Sequence, residues 1–375
     1  MRNATAVICE FNPIHRGHRH LLKLAGAGGE RVLCVMSGHF TQRGIPALFD
    51  KYARAEAAVR CGADLVVELP WPWCSSGAED FARGGCAVAA GMGADSLTFG
   101  SETADVEMLT RGADVRGSSD YAERIRAAER TFRDGGGGVL FERVMGELGV
   151  VPGGGNDRLG IEYIRFGRAA GIGSFRPVRR AEGFPSAAEL RRIFRQGGME
   201  ALLPLLAEEG VPPLTRAVLC REEEYERMLF AHARLSLPLL IDTDPGGEGN
   251  ELLRYAARVA EDCPDAGAFM ERLPTKKYTA SRLRRELLRS AVGAGESGEA
   301  PRFTVLLAAG ERGREWLSER RREGGIPVIV KPADTSSLDE TGARQYAVHR
   351  RADEVYAFLT GREAGFWMKQ SPRML

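Results

Sequence analysis

The stretch from Thr5 to Leu22, TAVICEFNPIHRGHRHLL, constrains this chain more than any other. Ala6-Val7-Ile8-Cys9 is an apolar run of strand length. Asn12-Pro13 breaks it, because proline fixes its own φ and pushes its predecessor out of the helical region. His15, Gly17 and His18 follow, and His20, Leu21, Leu22, Leu24 and Ala25 read as a helix. A strand, a tight polar turn and a helix opening form a phosphate cradle, with free N–H groups and the positive end of the helix dipole aimed at an anion. Two imidazoles in His-x-Gly-His spacing can both face such a site. The glycine between them lets a phosphate approach the backbone.

The His-x-Gly-His spelling resembles the signature of nucleotidyltransferases and class I synthetases. Alone it competes with a structural pair of histidines; after an N-terminal strand and an Asn-Pro turn, adenylyl transfer is the better reading. No Walker A sequence is present, which argues against an ordinary P-loop ATPase. At 375 residues the chain has room for two or three domains. Its net charge of +1 advertises no global field for nucleic acid, so any such surface must come from local clusters of Arg and Lys. The seven cysteines include no C-x-x-C spacing, which indicates neither a disulfide scaffold nor a zinc site. With no signal peptide and no apolar run near membrane-spanning length, the expected location is cytoplasmic, with no membrane partner.

Further along, Arg31–Met36 is a second strand, running into Ser37-Gly-His-Phe-Thr-Gln-Arg-Gly44 at its carboxyl end, the edge where open α/β sheets bind ligands. Arg43 is a candidate phosphate ligand there, against the alternative of a surface arginine in a turn. Phe49–Gly62 is an amphipathic helix, Ala63–Pro70 a third strand, Phe81–Gly91 a helix and Ser96–Glu102 a fourth strand. This alternation predicts an α/β fold, a Rossmann-like doubly wound parallel sheet. Gly100 would let an adenine or ribose lie against the backbone. Residues 104–141 read as mostly helical, with a glycine tip at 135–138. Asn156 and Asp157 precede another helix, where capping is the plainer role for both. Phe175–Arg180 is a short strand. Ser186 and Glu189 have capping-box spacing; with Arg180 and Arg191 the same helix start also suits a triphosphate clamp.

From about Met199 the pattern turns helical and leucine-rich, with a loop at 242–249 and a linker at 293–301. Residues 303–307 and 327–331 read as strands around a helix at 313–322. Two domains are expected: 1–198, binding the nucleotide, and 199–375, mainly helical. Lys276-Lys-Tyr-Thr-Ala-Ser-Arg-Leu-Arg-Arg285 is the strongest basic cluster, and its tyrosine suits base stacking among phosphate contacts. A solvated helix face is the plainer alternative. After Thr335 no chemistry is legible.

Together these strings resemble the tRNA(Met) cytidine acetate ligase family, within the HxGH nucleotidyltransferase fold. The resemblance rests on Glu10–His18, Met36–Gly44, Pro46-Ala47, Gly62–Pro70, Phe99–Glu102, Asn156–Tyr163, Ser186-Ala187 with Arg191, Lys276–Thr279 and Ser281–Arg285. It implies a carbon–nitrogen ligase that activates acetate with ATP as acetyl-adenylate. The acetyl group then passes to the wobble cytidine of elongator tRNA(Met), giving 4-acetylcytidine. His15 and His18 are implied as catalytic. ATP is implied at Val7, Ile8, Cys9, Glu10, Phe11, Asn12, Pro13, His15, Gly17, His18, His20, Gly100, Asn156 and Arg180, with Arg179 as the alternative to the last. Arg43, Ser186 and Arg191 are phosphate candidates. Lys276, Lys277, Arg282, Arg284 and Arg285 are implied on the tRNA, Mg2+ on the ATP phosphates, and no DNA partner. The other readings are a small-molecule adenylyltransferase making a nucleotide cofactor and a non-catalytic RNA-binding paralogue. The chain departs from the family at His39, where Asn is usual, at Ile45, where an acid is, and at Ala188, where Ser or Thr is. It also has a short segment after Arg180.

Overall fold

The structure is a computed structural model and describes residues 3–131, 137–180, 183–243, 250–293 and 299–375. Five parallel strands make the body of the sheet: β1 (Ala4–Cys9), β2 (Arg31–Ser37), β3 (Leu65–Leu69), β4 (Ser96–Ser101) and β5 (Ser174–Arg179), in the spatial order β5-β4-β1-β2-β3. The first four are joined by α1 (Arg16–Ala25), α2 (Lys51–Arg60) and α3 (Ala78–Gly91). Val32 to Met36 in β2 are all buried, as strands covered on both faces require. Between β4 and β5 run α4 (Val106–Arg116), α5 (Ser119–Thr131), α6 (Gly137–Glu147) and α7 (Gly155–Ala169).

A helical stretch follows, comprising α8 (Ala187–Leu202), α9 (Val211–Leu214), α10 (Glu222–Ala231), α11 (Leu237–Thr243), α12 (Asn250–Glu261), α13 (Ala266–Arg272) and α14 (Ala280–Val292). The chain then returns to the sheet through β6 (Thr304–Ala309), α15 (Glu311–Glu323), β7 (Val328–Ile329), α16 (Glu340–Leu359) and β8 (Arg373–Met374). β6 lies antiparallel beside β3, and both β7 and β8 pair with β6. The predicted α/β fold with a parallel-dominated sheet is therefore present. The expected division at residue 198 falls inside α8, and strands from both sides of it share one sheet. The loop at 242–249, the glycine tip at 135–138 and the linker at 293–301 fall wholly or partly outside the described residues.

One consequence of the strand order positions the site. From β1 the chain builds outward through β2 and β3, then crosses back to place β4 on the other side of β1. The carboxyl ends of β1 and β4 thus flank the point where the winding reverses, and open α/β sheets leave a crevice there.

Candidate active site

Phe11, just beyond β1, has φ 46°, a left-handed conformation that is rare for a bulky side chain. Its ring is buried and meets His18 edge-on at 5.1 Å. His15 is the N-cap of α1, and its Nδ1 accepts from the Gly17 N–H at 3.1 Å. His18 Nδ1 accepts from the His15 N–H at 3.3 Å. The two rings stack at 3.7 Å with 26° between their planes. Both Nδ1 atoms being acceptors, the proton of each neutral ring sits on Nε2, so each ring is a donor. Gly17 must be small, because a Cβ there would come within 3.0 Å of His15 Cε1.

Burial, reinforced by Arg180, lowers His15 to about 4; burial, then His15 and Arg180, hold His18 well below the usual range. At neutral pH both imidazoles are uncharged. They offer hydrogen bonds, and the positive charge comes from arginines and the N-terminus of α1. Of the two alternatives at the end of β5, Arg180 is exposed and acts electrostatically on both histidines. Arg179 is committed to the Thr103 carbonyl at 2.9 Å. His20 is exposed on α1, about 200° around the helix from His18, and so does not share its face.

Across the crevice, a Cβ on Gly100 would meet nothing within 4 Å, so the end of β4 faces open space. Glu102 caps the start of α7, accepting from Asn156 N at 3.2 Å, Asn156 Nδ2 at 2.9 Å and Asp157 N at 2.8 Å. Asp157, fully buried, answers by accepting from Glu102 N at 2.9 Å, Gly153 N at 2.8 Å and the Ser101 hydroxyl. Asp157 is thus a structural clamp, and Glu102, to which sequence reasoning gave no role, holds Asn156 in place. Ser186 caps α8, accepting from Glu189 N at 3.2 Å. Arg191 on α8 donates to the Asn12 carbonyl at 2.8 Å. Val7 and Ile8 are buried in β1 and can line the crevice only through their backbone. Cys9 and Pro13 flank the turn, and burial raises the Cys9 thiol well above its ordinary range.

The second loop, residues 37–44, is locked to this turn. Glu10 accepts from Gln42 N at 2.7 Å, and burial pushes its carboxyl up. Arg54, fully buried on α2, donates to the carbonyls of Phe49 (2.9 Å), Glu10 (2.6 Å), Ser37 (3.1 Å) and Gly38. Arg43 stays exposed at the loop's tip.

The stretch after Thr335, read from sequence as empty of chemistry, requires correction. From α16, Asp353 and His349 enter a buried polar cluster with Lys51, Glu68 and His39. Lys51 Nζ lies 2.9 Å from Glu68 Oε2 and 2.7 Å from Asp353 Oδ2. His39 Nδ1 is 2.8 Å from Asp353 Oδ1, and its ring stacks on Tyr356 at 4.0 Å. Glu68, His349 and Asp353 have donor atoms within 4.8 Å of one another, as a metal set would. The Lys51 ammonium already stands between the two carboxylates, so the cluster carries its own cation. The departure at His39 is therefore a ring tied to α16. Ile45 is buried beside the loop, and Ala188 is exposed in the first turn of α8. Residues 181–182 of the short segment lie outside the described residues.

The basic cluster also differs from its sequence reading. Tyr278 is buried, its hydroxyl donates to Glu251 at 2.8 Å, and Lys277 and Arg282 lie over its ring. It is not a surface for stacking bases. Lys276, Lys277 and Arg282 are exposed; Arg284 and Arg285 are half-buried. Arg285 donates to the Gln42 carbonyl at 3.1 Å. Gly44, with φ 69°, allows this docking: a Cβ there would lie 2.7 Å from Arg285 N.

Five histidines are held below their ordinary range chiefly by burial: His15 to about 4, His39 to about 3, and His18, His232 and His349 lowered. They are neutral when folded, whereas the unfolded chain takes up protons near pH 6.5. Stability should therefore fall as pH drops below about 6.5, by about 1 kcal/mol per histidine per pH unit. The His15 and His39 contributions continue to fall to about 4 and about 3. Burial alone would raise the Asp353 carboxyl, but Lys51 and His39 hold it well below the usual range, so its contribution is intact until about pH 4. Urea unfolding at pH 7 and pH 5 measures this; equal free energies would refute it.

No described helix is long and apolar enough to cross a membrane. The family described as HIGH Nucleotidyl Transferase matches residues 2–370. A tRNA(Met) cytidine acetate ligase of Syntrophotalea carbinolica is 32% identical, over 87% of this chain and 84% of the relative. One of Pediococcus pentosaceus is 28% identical over 95% of each. A crystal structure of Thermotoga maritima TmcAL bound with alpha-thio ATP superposes with a TM-score of 0.89 at 25% identity, covering 100% of this chain and 99% of that one.

Proposed function

The chain belongs to the HIGH Nucleotidyl Transferase family and, through its relatives, to the tRNA(Met) cytidine acetate ligases, and on that premise we propose its reaction and the residues that perform it. It is an ATP-dependent ligase that acetylates the wobble cytidine of elongator tRNA(Met). The observation that carries this reading is the stacked His15–His18 pair, two neutral Nε2 donors at the crevice where the sheet reverses.

In the first half-reaction an acetate oxygen bonds to the α-phosphorus of ATP, and the bond from that phosphorus to the bridging oxygen breaks, releasing pyrophosphate. Charge grows on the phosphate oxygens, where donors already fixed in place contribute most. His15 and His18 supply those donors, with Arg180 and the opening turn of α1 beside them. Arg43, Ser186 and Arg191 stand on the side where pyrophosphate leaves. Gly100 and Asn156 take the nucleoside. Mg2+ would be held by the ATP phosphates. In the second half-reaction the cytidine N4 bonds to the acyl carbon, AMP leaves with the electron pair of the acyl–oxygen bond, and the amine proton passes to solvent.

Residues 1–198 supply the nucleotide site, and residues from 199 onward the RNA surface. Lys276, Lys277 and Arg282 are the exposed cations for the RNA backbone, with Arg284 and Arg285 behind them. A tRNA substrate implies the cytoplasm. Incubating the protein with bulk tRNA, ATP and acetate, then digesting the RNA for mass spectrometry, tests the whole reading. The expected product is 4-acetylcytidine in elongator tRNA(Met) alone. A dinucleotide product, or acetylation spread over many tRNAs, would overturn it.

A further inference from the structure

We propose that the cavity between residues 45–48, α8 and the start of α10 receives the target cytosine after it turns out of the anticodon; this rests on the ligase function above. The cavity holds about 310 Å³, the scale of a small-molecule site. Leu48, Arg191, Phe194, Arg195, Glu222 and Glu223 line it.

Its position joins the two halves of the reaction. On one side it abuts the nucleotide turn: Arg191 donates to the Asn12 carbonyl, and Leu48 N donates to Asn12 Oδ1, both at 2.8 Å. Asn12 Nδ2 is buried without a hydrogen-bond partner, so the wall shared with the crevice retains an unused donor. On the other side the first residues of α10 line the cavity, and the same helix packs on the second loop and on the basic helix. The Tyr225 hydroxyl of α10 donates to the Gly44 carbonyl, and Arg284 of α14 lies 4.0 Å from Glu226 of α10. An RNA strand held on Lys276, Lys277 and Arg282 would cross the rim of this cavity on its way to the adenylate.

The lining chemistry selects the occupant. Phe194 is a half-buried ring on which a base can stack. Arg195, free of the nucleotide turn, offers the N–H donors that cytosine O2 and N3 accept. Glu222 and Glu223 offer the acceptors that its exocyclic amine requires; uracil would turn its O4 against them. Glu222 already accepts from Arg195 at 2.6 Å, which holds both side chains at the mouth.

The test is an anticodon stem-loop RNA with 5-iodocytidine at the wobble position, irradiated on the full-length protein and mapped by mass spectrometry. The crosslink should fall on Phe194 and survive saturating ATP. Phe194→Ala should lose it and reduce the binding preference for cytidine over an abasic wobble position about tenfold, and Phe194→Tyr should restore both. Glu223→Gln, on the exposed rim, should relax the preference for cytidine over uridine even if Phe194→Ala fails to fold. A crosslink elsewhere, or one displaced by ATP, overturns the assignment while acetate-dependent ATP–pyrophosphate exchange by the wild type leaves the ligase reading standing. Absence of that exchange in the wild type overturns both.

Discussion

His18→Ala is expected to lower acetate-dependent ATP–pyrophosphate exchange by about 10²- to 10³-fold, the effect of removing one fixed donor from a developing oxyanion. The two histidines differ in what their loss disturbs. His15 is the N-cap of α1, so its removal also exposes the Gly17 N–H. His18 accepts only one weak backbone bond, at 3.3 Å, and its ring otherwise packs on His15 and Phe11. Its deletion reads the chemistry more cleanly. Because burial keeps the ring neutral, the lost contribution is a hydrogen bond and not an ion pair. A replacement that keeps an N–H, His18→Asn, should recover part of the rate, whereas His18→Lys should not. The unfolding midpoint of each variant separates this from lost stability. Exchange that persists undiminished in His18→Ala at unchanged stability would remove the imidazole pair from the mechanism.

Local signals in the sequence located most of the crevice-lining turn. The apolar run, the Asn-Pro break and the histidine spacing needed no long-range information, and the structure brings them to one crevice. The βα alternation predicted a doubly wound parallel sheet, but the order that sets β4 beside β1 came only with the structure. What sequence reasoning missed depends on contacts across hundreds of positions. Asp353 meets Lys51 at a separation of 302 residues, and His39 at 314. Nothing in the polar periodicity of α16 announces that its charged face turns inward. One signal was available in α2: Lys51, Arg54 and Ala58 share the i, i+3, i+7 face that should be apolar, so two cations stood on a buried stripe. Tyr278 was misread for the converse reason. Its cationic neighbours suggested a wet surface, but Glu251 from α12 satisfies its hydroxyl, and Tyr255, Lys277 and Arg282 pack on the ring.

The largest expected effect on stability follows from that buried stripe. Lys51→Met keeps most of the side chain's length and removes its charge, leaving Glu68 and Asp353 facing each other in the interior. Removing one partner from a buried ion cluster costs about 3–5 kcal/mol, because the remaining charges stay desolvated and uncompensated. For a chain of this size that lowers the melting midpoint by roughly 5 °C. If uncompensated charge is the cause, neutralising the carboxylates as well should reverse much of the loss. The triple variant Lys51→Met, Glu68→Gln, Asp353→Asn should therefore be more stable than Lys51→Met alone, and a mutant cycle reports the coupling directly. If packing were the cause, the triple variant would be no better than the single one. The outcome bears on the site as well. Asp353 holds His39, and His39 lies in the loop whose Gln42 N–H holds Glu10 at the nucleotide turn. The buried lysine is thus the cation through which the last long helix fastens the loop beside the adenylate crevice.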